Sequence, residues 1–136
     1  MHWRPSNHCG FTRGTPWLPV GDTSGRCNVQ VQADDPHSML SLCRRLLSVR
    51  RAHTALTLGD YVNVPCEEEC LAYIRRYRGD SILVMLNFSE QSHRLSLPPD
   101  FPGGRIVVST NVARADENVA EVVTLGPTEG VVIDAT

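Results

Sequence analysis

Lysine is absent from this 136-residue chain, and all 13 basic residues are arginine. The arginines are spread along the chain rather than gathered, which fits coding bias better than a binding site. The net charge of −2 supplies no field that would steer the chain toward nucleic acid or anionic lipid, so no nucleic-acid partner is expected. No apolar run is long enough to span a bilayer, which argues against a membrane partner. The opening Met1-His2-Trp3-Arg4-Pro5 lacks the basic-then-apolar order of a signal peptide. The expectation is therefore a cytoplasmic protein with reduced thiols. Five cysteines cannot all pair within one chain. No G-x-S-x-G elbow, phosphate loop or dinucleotide fingerprint occurs.

Hydrophobic residues make up 41% of the chain, enough for a packed core and too many for wholesale disorder. Residues 1–33 carry many Gly, Pro, Ser, Thr and Asn without a sustained period, and read as an extended loop. Trp3, Phe11 and Trp17 lie in it and need an apolar surface to cover them. A helix is signalled next, with Asp35 as N-cap and Pro36 at the first helical position. Met39, Leu42, Cys43, Leu46, Leu47 and Val49 form its apolar face. Arg50, Arg51 and His53 complement the helix dipole at its C-terminal end. Beyond about residue 55, β-prone runs alternate with turn residues: 58–64, 70–77, 81–88, 92–97, 105–110, 119–125 and 129–134. Arg78-Gly79-Asp80 reads as a tight hairpin connection. Residues 82–88 are apolar on both faces, as in a central strand. The sum is a mainly β chain, an antiparallel sandwich preceded by a long loop and one helix.

Candidate chemistry is sparse. Cys43 and His53 can be imagined as nucleophile and base, but Cys43 lies on the apolar helix face and reads as a core thiol. Glu67, Glu68 and Glu69 adjoin one another between two strands and read as a solvated turn. A glycosidase pair needs two carboxyls about 5–10 Å apart across a sugar. Cys66 and Cys70 have no second ligand pair at zinc-site spacing, and His2, His8 and Cys9 lie in a loop without a defined scaffold. No metal and no other cofactor is expected.

Three stretches, in order, resemble the C-terminal part of glycoside hydrolase family 13, the α-amylase family, in its oligo-1,6-glucosidase and α-glucosidase branch. Residues 1–11, followed by Pro16-Trp17-Leu18-Pro19-Val20, resemble the branch's Met-Gln-Trp-Asp segment running on to Asn-Ala-Gly-Phe. Asn28-Val29, Gln32 and Asp35-Pro36-His37-Ser38, leading into Arg44-Arg45-Leu46-Leu47-Ser48-Val49-Arg50-Arg51, look like its last barrel helix. Leu71-Ala72-Tyr73-Ile74-Arg75 and Ile82–Ser89 look like the first strands of its C-terminal β-domain. The resemblance implies that residues 1–53 derive from a (β/α)8 barrel, as the loop after strand 8 plus the last helix. It implies that residues 54–136 form the C-terminal sandwich. It places the family's three catalytic acids upstream, so no catalytic residue is assigned here. Trp3, Arg4, Phe11 and Trp17 are the candidates for substrate contact. His2, Arg4 and His8 stand where the family has Gln, Asp and Asn, and Arg4 inverts a local charge.

The expected function is thus the non-catalytic C-terminal portion of an α-glucosidase acting on α-glucosidic bonds of oligosaccharides. It would be inactive alone, with the missing barrel as its partner and an oligosaccharide as its ligand. The alternatives are a structural or interaction module and a carbohydrate-binding sandwich. The last lacks support, since both tryptophans lie in the loop and Tyr61, Tyr73 and Tyr77 are few and expected to be buried.

Overall fold

In a computed structural model, residues 2–21 and 25–135 are described; Met1 of the first matching segment lies outside them. They fall into two compact units, one ending at Arg45 and the other beginning at Leu46.

The second unit holds two antiparallel sheets. A six-stranded sheet runs in the order β1 (Asp60–Val64), β2 (Cys70–Tyr77), β3 (Asp80–Asn87), β8 (Gly130–Asp134), β5 (Gly104–Ser109), β6 (Asn118–Val119). A two-stranded sheet pairs β4 (His93–Ser96) with β7 (Val122–Leu125). Leu83, Met85, Ile106, Val131 and Ile133 of the large sheet join Leu95, Val123 and Leu125 of the small one in a single buried cluster. Ile82 and Val84 are buried too, so β3 is apolar on both faces as its sequence requires. Arg78 and Gly79 both have positive φ, the condition for a two-residue hairpin, and Tyr77 pairs with Asp80 across it. A Cβ on Gly104 would lie 1.9 Å from the Asp134 carbonyl oxygen, so only glycine lets β5 approach β8 there.

The run 119–125 is two strands rather than one. β6 ends at Val119, β7 begins at Val122, and the chain changes sheets between them. The run 58–64 likewise starts late, because a short helix α3 (Ala55–Leu58) takes its first residue. Asp80 Oδ2 accepts from the Ala55 N–H at 2.7 Å in the first turn of α3.

The first unit is more ordered than an extended loop. A 3-10 turn spans Asn7–Gly10, and a short helix α1 spans Val29–Ala33. Asn28 caps α1, its Oδ1 accepting from the Val31 N–H at 2.9 Å. Five residues are too few to display a helical period, which is why periodicity alone passes over α1.

Helix α2 runs Met39–Ala52. Its cap is not Asp35. That carboxylate accepts from the His37 N–H at 2.8 Å in a tight turn before the helix. Ser38 does the capping instead, its Oγ accepting from the Ser41 N–H at 3.1 Å and donating to the Gln32 carbonyl at 2.7 Å. The apolar face of α2 exists but is uncovered: Met39, Cys43, Leu46 and Leu47 are exposed.

Candidate functional site

The 3-10 turn and the extended segment after it position the four candidate substrate-contact residues. The Trp3 N–H and carbonyl are both tied down, to the Cys9 carbonyl at 2.9 Å and the Gln30 N–H at 3.0 Å. Buried Cys9 anchors the turn. Its neighbour Gly10, at φ +68°, leaves room for the Arg4 side chain, since a Cβ there would sit 2.8 Å from Arg4 Nε. Phe11 and Trp17 share a hollow of about 350 Å³ with His2, His8 and Cys9. Arg4 and Phe11 line a second hollow of about 340 Å³, beside Asn7 and Arg13. Trp3 lines neither. All three aromatics are exposed, Trp17 at 89%. Exposure of that extent marks a surface lacking a cover.

Three polar clusters in the second unit join residues that are far apart in sequence. The first is built on Arg114, in a 3-10 turn at Val112–Arg114. Its guanidinium donates to both Glu117 oxygens at 2.7 and 2.8 Å, to both Glu129 oxygens at 3.1 Å and to the Thr124 carbonyl at 2.8 Å. Buried Glu129 also accepts from Ser109 Oγ at 2.9 Å and the Gly126 N–H at 2.7 Å. The guanidinium pKa is raised, mainly by its bonds to Glu117. The Glu117 carboxyl is held below its usual range by the same bonds. A depressed folded-state carboxyl contributes stability above the unfolded glutamate pKa of about 4.3, and that contribution is lost as pH falls through the folded value. Acid titration followed by circular dichroism is therefore expected to show the Glu117→Gln chain losing less stability below about pH 4.5 than the parent chain. An identical acid limb in both would refute the coupling.

The second cluster has the layout of a hydrolytic triad. Glu67 Oε2 contacts His93 Nδ1, and His93 Nε2 lies 2.9 Å from Ser89 Oγ. Glu67 is thus not merely solvated, as its place in an acidic run suggests. Ser89 is nevertheless buried, and its Oγ accepts from the Gln91 N–H at 3.1 Å and lies 2.9 Å from Asn87 Oδ1. These contacts make it a turn-locking hydroxyl rather than a presented nucleophile. The third cluster joins His53, Asp80 and Asp134. The two aspartate carboxylates lie within 4.8 Å of each other with the imidazole against both, which leaves no space for a sugar ring. Sequence reading missed all three clusters because each is closed by a contact between residues 15 or more apart in sequence, Arg114–Glu129, Glu67–His93 and His53–Asp80.

The five cysteines are free. Cys43 is exposed, so it is not a core thiol. Cys66 Sγ donates to the Cys70 carbonyl at 3.1 Å, and the Cys70 thiol pKa is pushed up by burial and then by Cys66 and the neighbouring glutamates. Tyr61, expected to be buried, is 56% exposed and stacks on Tyr73 with ring centroids 5.1 Å apart. Among the described residues, no helix is long and apolar enough to cross a membrane.

A sandwich following a loop and one uncovered amphipathic helix matches known families along most of its length. Residues 62–132 match the model of the maltogenic amylase C-terminal domain, and residues 1–59 match that of the α-amylase catalytic domain. The chain belongs to the α-amylase family. Within this family it corresponds to the end of the catalytic domain and the C-terminal domain of oligo-1,6-glucosidase-like enzymes. The oligo-1,6-glucosidase of Parageobacillus thermoglucosidasius is 31% identical over 99 residues, covering 72% of this chain and 18% of that enzyme. The oligo-1,6-glucosidase of Halalkalibacterium halodurans is 37% identical over 89 residues, 65% of this chain and 16% of that enzyme. Among solved structures, the trehalulose synthase MutB from Pseudomonas mesoacidophila MX-45 superposes with a TM-score of 0.88 at 27% identity, over 99% of this chain and 24% of that one. This α-amylase-family chain thus spans less than a quarter of each of these proteins.

Proposed function

We propose that this polypeptide is the supporting C-terminal part of an α-glucosidase that hydrolyses α-glucosidic bonds in oligosaccharides, and that it works with a catalytic barrel. The observation that carries the reading is the uncovered apolar surface. Met39, Leu46 and Leu47 of α2 are exposed, as are Trp17 and Phe11 of the preceding loop. In this reading residues 1–53 complete the barrel and residues 54–136 brace it. Trp3, Phe11 and Trp17 pack the loop beside the mouth of the site. With Arg4, they are the groups of this chain within reach of a sugar.

The surface gives the test. At micromolar concentration the full chain is expected to associate in multi-angle light scattering, while residues 55–136 alone run as a monomer. Mixing the full chain with the preceding barrel portion of the Parageobacillus thermoglucosidasius oligo-1,6-glucosidase is expected to replace the aggregate by a one-to-one complex. A monodisperse full-length monomer that ignores the barrel would overturn the proposal.

A further inference from the structure

The third polar cluster belongs neither to the loop that faces a barrel nor to the core of the sandwich. His53 follows the last residue of α2, Asp80 opens β3 and Asp134 ends β8. His53 Nδ1 lies 3.2 Å from Asp80 Oδ1 and 3.8 Å from Asp134 Oδ1, and one donor atom from each residue lies within 4.8 Å of the others. All three side chains are between 20% and 26% exposed, so water can reach the cluster without flooding it.

Two carboxylates at this separation repel unless a positive charge stands between them. A first-row divalent ion bound at about 2.1 Å holds neighbouring nitrogen and oxygen donors about 3.0 to 3.4 Å apart. The His53–Asp80 separation of 3.2 Å already falls in that range, and the His53–Asp134 separation of 3.8 Å lies about 0.4 Å outside it. Asp80 is further aimed by its second oxygen, which accepts from the Ala55 N–H at 2.7 Å, as outer partners commonly orient a metal-binding carboxylate. One imidazole and two carboxylates, with water free to complete the shell, suit zinc rather than a soft thiolate-seeking ion.

We infer that His53, Asp80 and Asp134 form a divalent-cation site of the zinc class, which clamps the end of α2 to the adjoining ends of β3 and β8. The ion takes the Nδ1 lone pair of His53, leaving the ring proton on Nε2. Such a clamp needs no glycosidase activity.

The test is calorimetric titration of the full chain with zinc chloride alone, at low micromolar protein, for the parent chain, Asp134→Asn and His53→Gln. Asp134→Asn keeps the shape of the side chain and leaves the Asp80–Ala55 bond intact. The expected result is saturation at one ion per chain, weakened at least about tenfold in each variant. Cobalt substitution gives an independent reading, with a spectrum free of thiolate charge-transfer bands. Absence of saturable binding, parent affinity in either variant, or a cobalt–thiolate band pointing to the free cysteines would each sink the proposal.

Discussion

Replacing Arg114 by methionine is expected to remove about 3–5 kcal/mol of folding stability, as breaking a buried ion pair does when one charge is left behind. Glu129 is 7% exposed, and its two oxygens otherwise hold only Ser109 and the Gly126 N–H. Without the guanidinium, a carboxylate remains in a poorly hydrated place between β7 and β8, and the Thr124 carbonyl loses its donor. For a domain of this size the loss translates to a fall in Tm of more than about 10 °C. The charge argument separates this from simple loss of packing. Adding Glu129→Gln to the methionine variant should recover part of the loss, because the orphaned charge is gone. Arg114→Lys should fall between parent and methionine, since an ammonium cannot reach four carboxylate oxygens and a carbonyl at once. Thermal unfolding of the four chains decides it. A double variant less stable than Arg114→Met would refute the orphaned-charge explanation.

The second large effect concerns catalysis. The purified 136-residue polypeptide is expected to show no turnover of nitrophenyl α-glucoside above the uncatalysed rate. Enzymatic accelerations of roughly a millionfold or more need groups held on both sides of the scissile bond. Among the described residues, the carboxylates that meet are already engaged. Glu117 and Glu129 are clasped by Arg114, and Asp80 and Asp134 flank an imidazole. Glu67 is bound to His93. Turnover that persists through successive purification steps and disappears on mutation of one of these acids would overturn the expectation. The Glu67–His93–Ser89 row makes an ester such as nitrophenyl acetate a useful control substrate. Burial of Ser89 predicts the same lack of turnover there.

What was legible in the sequence was whatever repeats locally. The β3 run is apolar on both faces because the strand is central, and one sequence window shows that. The apolar stripe of α2 is equally local, although its exposure is not. Turn chemistry was partly legible: Arg78-Gly79 marks its hairpin, but Asp35 is as good a turn residue as a cap, and only the geometry separates the two uses. Ser38 won because Gln32 and Ser41 both meet it. The sheet exchange between Val119 and Val122 was hidden, since each strand alone resembles part of one continuous run. The polar clusters were hidden for a stronger reason. Asp134 meets His53 only once β8 lies beside β3, and no window of sequence contains both.

That placement of β8 has a consequence for synthesis. The last strand among the described residues, β8, is an interior strand of the six-stranded sheet, between β3 and β5. Until the residues through Asp134 leave the ribosome, β3 and β5 each display an unpaired edge, and the β2–β3 hairpin must wait with one apolar rim open. Nascent chains paused shortly before this point are the ones a chaperone would be expected to hold.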